Sequence, residues 1–414
     1  MRSSILLEAI GTYGTPSYLF DIDEVRERSL KIQKLLRDRV TLCYAMKANP
    51  FLVRAMDPVI SKFEVCSPGE FRICRKSGID PVKIVLSGVS KIPADLTAQM
   101  GYILNKGVYT IESLKQLEDL EREADSNDIV IRGLLRITGG NQFGMDEETA
   151  CQVISRRTAY PHVDITGLQY FTGTQKRKFS RIRAELEYMD SLITKLQDVY
   201  GFKTKELEYG PGFYVPYFMD EAEQDDERLI HAFNELIGSL SYQGHITLEC
   251  GRYLAAYCGY YVTSVTECKA SKDQRYALVD GGIHQLNYYG QMMAMKVPHY
   301  KQIPGSIFGD QTSVTEIDLN SRSREPADAA AGNTLAWQIC GSLCTVNDVL
   351  VKNLPLRDLQ QGDVICFERA GAYSVTESMA LFLSRDLPQV IMTSDRDGLK
   401  LVRKRLEADE LNSY

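Results

Sequence analysis

The chain has 414 residues, 44% hydrophobic and 25% charged, enough for about two to three soluble domains with sizeable cores. Lys+Arg 48 against Asp+Glu 55 leaves a net charge of −7, so there is no basic footprint for a nucleic-acid backbone or an anionic membrane surface. Ile5, Leu6 and Leu7 form too short an apolar run for a secretory leader, and no segment reaches ~18 apolar residues, which makes the cytoplasm the expected compartment.

In chain order, short β-branched or aromatic runs recur at 40–44, 63–65, 84–86, 108–111, 134–137, 165–171, 206–209 and 246–249. Helix-period segments separate them. The clearest sets Ile182, Leu186, Met189, Ile193 and Leu196 on one face. Such alternation predicts parallel strands closed into a (β/α)8 barrel over residues 30–262, with an open doubly wound sheet as the alternative. The acidic stretch 220–227 reads as a solvated face. Beyond residue 260, YYVTSVTEC, YALVD, TEIDL, LAWQI, DVICF and QVIMTS read as strands joined by turns. Residues 1–29 and 263–414 are therefore assigned to a C-terminal antiparallel β-domain, with SRSREPADAAAGN (321–333) as a surface loop.

Ten cysteines are scattered without a CxxC pair or a histidine at finger spacing, so neither a disulfide framework nor a metal site is expected. Eight or nine of them read as small buried hydrophobes, with Cys344 set apart. Polar groups instead gather at the strand ends that would face a barrel's active site: Lys47, Arg136, Phe171 to Thr174, Gly210 to Gly212, and Glu249 to Arg252. A lysine there either snorkels to solvent or becomes a competent amine. Gly210 and Gly212 are either a tight turn or a phosphate cradle, and Gly251 with Arg252 favours the cradle. Glu249 pairs with a structural arginine or holds a pyridine nitrogen protonated. Together the groups suggest pyridoxal 5'-phosphate.

The ordered motifs YAMKAN (44–49), FEVCSPGE (63–70), QFGM (142–145), YFTGTQ (170–175), EYGPGF (208–213), ECGR (249–252), VDGG (279–282), GSLCTVND (341–348) and GAY (371–373) resemble the fold-type III pyridoxal-phosphate decarboxylases. This group includes the diaminopimelate and ornithine enzymes. The resemblance implies an alanine racemase-like barrel plus β-domain and an obligate homodimer with shared sites. It implies that Lys47 carries the cofactor, and that Glu249 pairs with the pyridine nitrogen. Gly210, Gly212, Thr174, Gly251, Arg252 and Tyr373 would bind the phosphate, Arg136 would lie near the ring, and Cys344 from the partner subunit would act as proton donor. Glu64 and Glu70 are expected to support the site.

Three positions depart from the family pattern. Phe171 replaces a ring-stacking histidine and supplies no N–H. Pro211 removes a donor from the glycine turn. Thr345 stands where decarboxylases of basic amino acids carry an acid, and no arginine follows VDGG. These changes disfavour diaminopimelate, ornithine, lysine and arginine. They bring the chain nearest in pattern to the butirosin-pathway decarboxylase of a carrier-tethered glutamate and the staphyloferrin B decarboxylase of a citryl-diamino acid. The expected substrate is thus a bulky or carrier-linked amino acid, from specialised biosynthesis. Asp348, His284 and Asn287 are further candidate substrate contacts, with a salt bridge at the dimer interface as the alternative role for Asp348. A free basic amino-acid decarboxylase, a racemase or epimerase using Tyr288, Tyr289 or Tyr300 as second base, and a non-catalytic binding homologue are the alternatives.

Overall fold

Strands buried on both faces need cover on each, which a closed barrel meets with helices outside and packed side chains within. The computed structural model describes residues 1–288, 294–308 and 334–414. After β1 (Ser17–Asp21) come β2 (Val40–Ala45), β3 (Lys62–Val65), β4 (Ile84–Leu86), β5 (Val108–Ile111), β6 (Ile131–Ile137), β7 (Val163–Phe171), β8 (Glu206–Gly210) and β9 (His245–Cys250). Strands β2 to β9 close in sequence order into a parallel barrel, with β9 returning to β2 through pairs such as Val40↔Ile246 and Tyr44↔Cys250. The expected barrel is therefore observed, strand for strand. Its longest helix, Phe179–Tyr200, buries the predicted stripe Ile182, Leu186, Met189, Ile193 and Leu196.

Two compact units divide the chain: Arg26–Val215 with Gln224–Leu254, which contains the barrel, and Met1–Val25 with Pro216–Glu223 and Ala255–Tyr414. The second unit contributes β10 (Gly259–Ser271), β11 (Gln274–Val279), β12 (Tyr300–Ile303), β13 (Thr334–Cys340), β14 (Val349–Arg357), β15 (Val364–Phe367), β16 (Gln389–Ser394) and β17 (Gly398–Arg403). With β1 these make one sheet, in the order β14-β13-β11-β10-β1-β16-β17, while β15 pairs with β10 and β12. The sheet is mixed rather than antiparallel, because β1 runs parallel to β16 and β11 parallel to β13. Both parallel neighbours are joined by long stretches of chain, whose path strand composition does not reveal. Leu6, Ile10, Leu19, Val262, Val364 and Ile391 form part of its core. The TEIDL run and the 321–333 segment lie outside the described residues.

The acidic stretch 220–227 is less solvated than expected. The Glu221 carboxylate accepts from Tyr217 and Phe218 N–H and pairs with Lys296 at 3.2 Å. In the barrel unit Asp226 receives Arg28 at 2.7 Å and the Tyr253 hydroxyl. Six cysteines are buried, Cys66, Cys268 and Cys340 are half-buried, and Cys344 is exposed. Among the described residues no helix is long and apolar enough to cross a membrane, and no cluster of His, Cys, Asp or Glu is gathered for a metal ion.

Candidate active site

At the end of β2 the chain turns through the short helix Met46–Ala48, and the turn is fixed by Tyr44 Oη donating to Asn49 O at 3.0 Å. This carries Lys47 to the C-terminal end of the barrel. Its Nζ donates to Glu64 Oε2 at 2.7 Å and to Glu249 Oε1 at 3.3 Å. Both carboxylates are buried, whereas the Lys47 side chain keeps 34% exposure. The Phe171 ring centroid lies 5.7 Å from Nζ. Gln169 Nε2 donates to the other Glu249 oxygen, Oε2, at 3.2 Å.

Two buried carboxylates on one ammonium cannot both be comfortable as anions. Burial works against the Glu64 anion, but the Lys47 ammonium and the hydrogen bonds around it outweigh burial and hold Glu64 below its ordinary range. Glu249, buried and facing the Glu64 charge, is pushed up to about 7. The pair thus keeps one firm anion beside the amine and one carboxyl able to share a proton. Cys66 Sγ donates to Glu64 Oε1 at 3.3 Å, and Glu70 accepts from Cys66 N–H at 2.6 Å while the Ser67 hydroxyl caps the same helix. Glu70 therefore braces the loop beneath Glu64.

Arg136, at the end of β6, donates through Nη1 to the buried Glu112 Oε1 at 2.9 Å and stacks its guanidinium 4.7 Å from the Phe143 ring. Glu112 Oε2 accepts from Gly144 N–H at 3.2 Å. Arg136 Nε is buried without a partner. Nearby, Lys91 donates to Gly88 O at 2.6 Å, and burial pulls its pKa down to about 8.

The loops after β7 and β8 meet closely. Gly212 has φ +60°, and a Cβ there would lie 2.1 Å from Gly173 O; one on Gly210 would lie 2.5 Å from the Phe171 ring. Lys176 N–H donates to Gly212 O at 2.9 Å. Glu185 ties the loop after β7 to strand β8, receiving the Thr172 hydroxyl at 2.6 Å, Lys176 Nζ at 2.6 Å and the Tyr209 hydroxyl at 2.7 Å. Thr174 is half-buried beside them, and Arg252, following Gly251, is buried. Glycine-rich loops with buried arginines, an orphaned Arg136 donor, an aromatic face and a lysine over two acids fit pyridoxal phosphate. Lys47 would hold its aldehyde carbon, Glu249 its ring nitrogen, and the glycine turns with Thr174 and Arg252 its phosphate.

A family profile described as "pyridoxal-dependent decarboxylase, pyridoxal binding domain" matches residues 22–256. The chain belongs to the pyridoxal-dependent decarboxylases. It is 27% identical to the L-glutamyl-(BtrI acyl-carrier protein) decarboxylase of Niallia circulans, covering 96% of this chain and 93% of that one. To the diaminopimelate decarboxylase of Aquifex aeolicus it is 26% identical, covering 98% and 92%. To the 2-[(L-alanin-3-ylcarbamoyl)methyl]-2-hydroxybutanedioate decarboxylase of Staphylococcus aureus it is 25% identical, covering 90% and 93%. The solved diaminopimelate decarboxylase of M. jannaschii in complex with L-lysine shares the fold with a TM-score of 0.81 at 20% identity, covering 99% and 93%. This is a pyridoxal-phosphate-dependent carboxy-lyase, and its cofactor supplies an electron sink for the pair left when the Cα–carboxylate bond breaks.

The remaining candidate residues of the decarboxylase belong to the β-sheet unit. Cys344 and Thr345 lie on the 341–348 loop, where Thr345 Oγ1 accepts from Asn347 N–H at 3.4 Å. Asp348 is engaged by the backbone. It is 2% exposed, and its oxygens accept from Ile283 N–H at 2.8 Å and Leu343 N–H at 2.7 Å, locking VDGG to the loop. Asn287 is exposed, and its carbonyl accepts from Ser374 Oγ at 2.7 Å, next to Tyr373, whose φ is +68°. His284 is 1% exposed with both ring nitrogens unpartnered, and burial, with Arg385, lowers its pKa to about 4. Its unfolded form takes up a proton near pH 6.5, so between 6.5 and about 4 the unfolded state binds more protons and stability is lost as the pH is lowered. His284→Asn is expected to flatten that limb. Thermal midpoints of both proteins across this window check it, and parallel curves would assign the limb to other groups.

Sequence reasoning missed Glu112, Gln169 and Glu185, the partners that position Arg136, Glu249 and the glycine loops. Of the three, Gln169 carried a signal, as a polar residue within the apolar run of β7.

Proposed function

We propose that this enzyme decarboxylates an L-amino-acid conjugate with a bulky or carrier-linked distal group, as a homodimer in which Cys344 of the partner subunit returns a proton to Cα. The observation carrying the substrate class is the 341–348 loop. Thr345 has no charge, and the only carboxylate of that loop, Asp348, is buried with its oxygens committed to backbone N–H groups. A distal ammonium would meet no free anion there. Relatives from Niallia circulans and Staphylococcus aureus, both named for conjugated substrates, support the same class.

Lys47 and Glu249 keep the amine and proton inventory on one side of the site, and Phe171 offers a face for stacking. Cys344 is exposed, which supports its thiol as the proton donor. Purified holoenzyme should release carbon dioxide from a carrier-tethered or citryl-conjugated amino acid with kcat/KM at least about 100-fold above that for diaminopimelate, ornithine, lysine, arginine or glutamate. Efficient turnover of a free basic amino acid would instead make this a decarboxylase of the diaminopimelate type. A racemase draws no support from the tyrosines: Tyr288 is buried with its hydroxyl on Glu368 O at 2.5 Å, Tyr300 donates to Pro355 O, and Tyr289 lies outside the described residues.

Shared sites make a quantitative prediction. Mixing Lys47→Ala with Cys344→Ala under exchange puts half the dimers in the mixed form, each with one complete site, restoring about a quarter of wild-type activity. No recovery in a mixture shown to exchange would assign the proton to a donor from the same chain.

A further inference from the structure

Glu208, on β8, is fully buried, and neither carboxyl oxygen has a hydrogen-bond partner. Its side chain shares the barrel interior with that of Gln169, its register partner on β7, because the alternate residue Tyr209 points outward to Glu185. Gln169 is equally buried, and its Oε1 is also unpartnered. On the far side of β8 lies β9, where Glu249 accepts from Gln169 Nε2. The Gln169–Glu249 hydrogen bond therefore spans the strand that carries Glu208. Two unpartnered acceptors on buried register partners are both satisfied by one hydrogen shared between them.

We propose that Glu208 is held as a neutral carboxylic acid whose O–H donates to Gln169 Oε1, committing the Gln169 amide hydrogens to Glu249 and making Glu208 and Gln169 a positioning relay for that acid. The alternative charge state defeats itself. An ionised Glu208 would draw the Gln169 amide hydrogens to itself and turn Oε1 against the Glu249 oxygen. The surroundings favour the neutral form: burial comes first, followed by the charge of Glu249, with Glu206 and Glu64 adding to it and only Lys62 opposing. Cys43 on β2 also faces this group. Lys62 is itself engaged by Glu206.

The relay rests on the reading of Glu249 as the cofactor's acidic partner, so its first test avoids the cofactor. Infrared difference spectra of the apoprotein, wild type minus Glu208→Gln in D2O at neutral pH, should show a carboxylic-acid carbonyl band above the amide I envelope. Absence of that band overturns the proposal, since Glu208 would then be ionised. The second test compares apparent Kd for pyridoxal phosphate and the pH at which the bound cofactor's absorption changes. Glu208→Gln, whose amide can replace the O–H donor, should stay within about twofold of wild type, while Glu208→Leu should weaken binding about tenfold and move that pH. Equal behaviour of the two variants would overturn the relay. If wild type bound no pyridoxal phosphate, the assignment of the cofactor would fail while the infrared band still decided the state of Glu208.

Discussion

Lys47→Ala is expected to release no measurable carbon dioxide, a loss of at least about 10^3 in kcat, and to retain no borohydride-reducible cofactor. Lys47 is, among the described residues, the amine hydrogen-bonded to both Glu64 and Glu249, and it stands 5.7 Å from the Phe171 ring centroid. No residue in this geometry replaces it: Lys91 is committed to Gly88 O and Gln116. The substitution also removes the cation hydrogen-bonded to both buried carboxylates, which favours proton uptake by the pair. The variant apoprotein should therefore gain stability relative to wild type as pH falls. Reductive labelling followed by peptide mapping checks the covalent assignment. A reduced adduct on another lysine would overturn it.

Glu249→Gln should lower kcat by on the order of 10^2 to 10^3 while leaving cofactor binding detectable, because an amide cannot hold the ring nitrogen protonated. It should also stabilise the apoprotein. Glu249 is pushed up to about 7 in the folded chain against 4.5 unfolded, so its ionisation penalises the fold fully above about pH 7, and the penalty fades as pH falls towards 4.5. The thermal midpoint of the variant should exceed that of wild type above pH 7 and converge on it near 4.5. Lower activity with an unchanged or lower midpoint at alkaline pH would show that Glu249 is not strained by its Glu64 neighbour.

The barrel was legible because its strands are buried on both faces and read as short apolar runs. All eight expected segments coincide with strands, with boundary differences of up to three residues, as at β6. The direction of strands in the second sheet was not. LAWQI and YALVD are extended in either orientation, and only the course of the intervening chain makes β11 and β13 parallel. Within the site, the lysine, the arginines, Glu249 and the glycine turns stood out because each is costly or unusual at the end of an apolar strand. Their supports did not. Glu112 follows the VYTI strand as an ordinary loop acid, and Glu185 sits in a helix where acids are common. Asp348 looked available for substrate because a sequence displays a carboxylate without the backbone N–H groups that consume it.

The position of β1 has a consequence for synthesis. This strand hydrogen-bonds to β10 on one side and β16 on the other, so the barrel is an insertion into the sheet unit rather than its successor. As the nascent chain leaves the ribosome, β2 to β9 are complete by residue 250, while residues 17–21 have no ladder partner until about 262 and lack the second until about 394. A hydrophobic strand is thus carried unpaired while an entire barrel forms behind it, the interval in which an open edge is most exposed to wrong pairing. Translation pauses after the barrel would lengthen that interval, and chaperone demand should concentrate there.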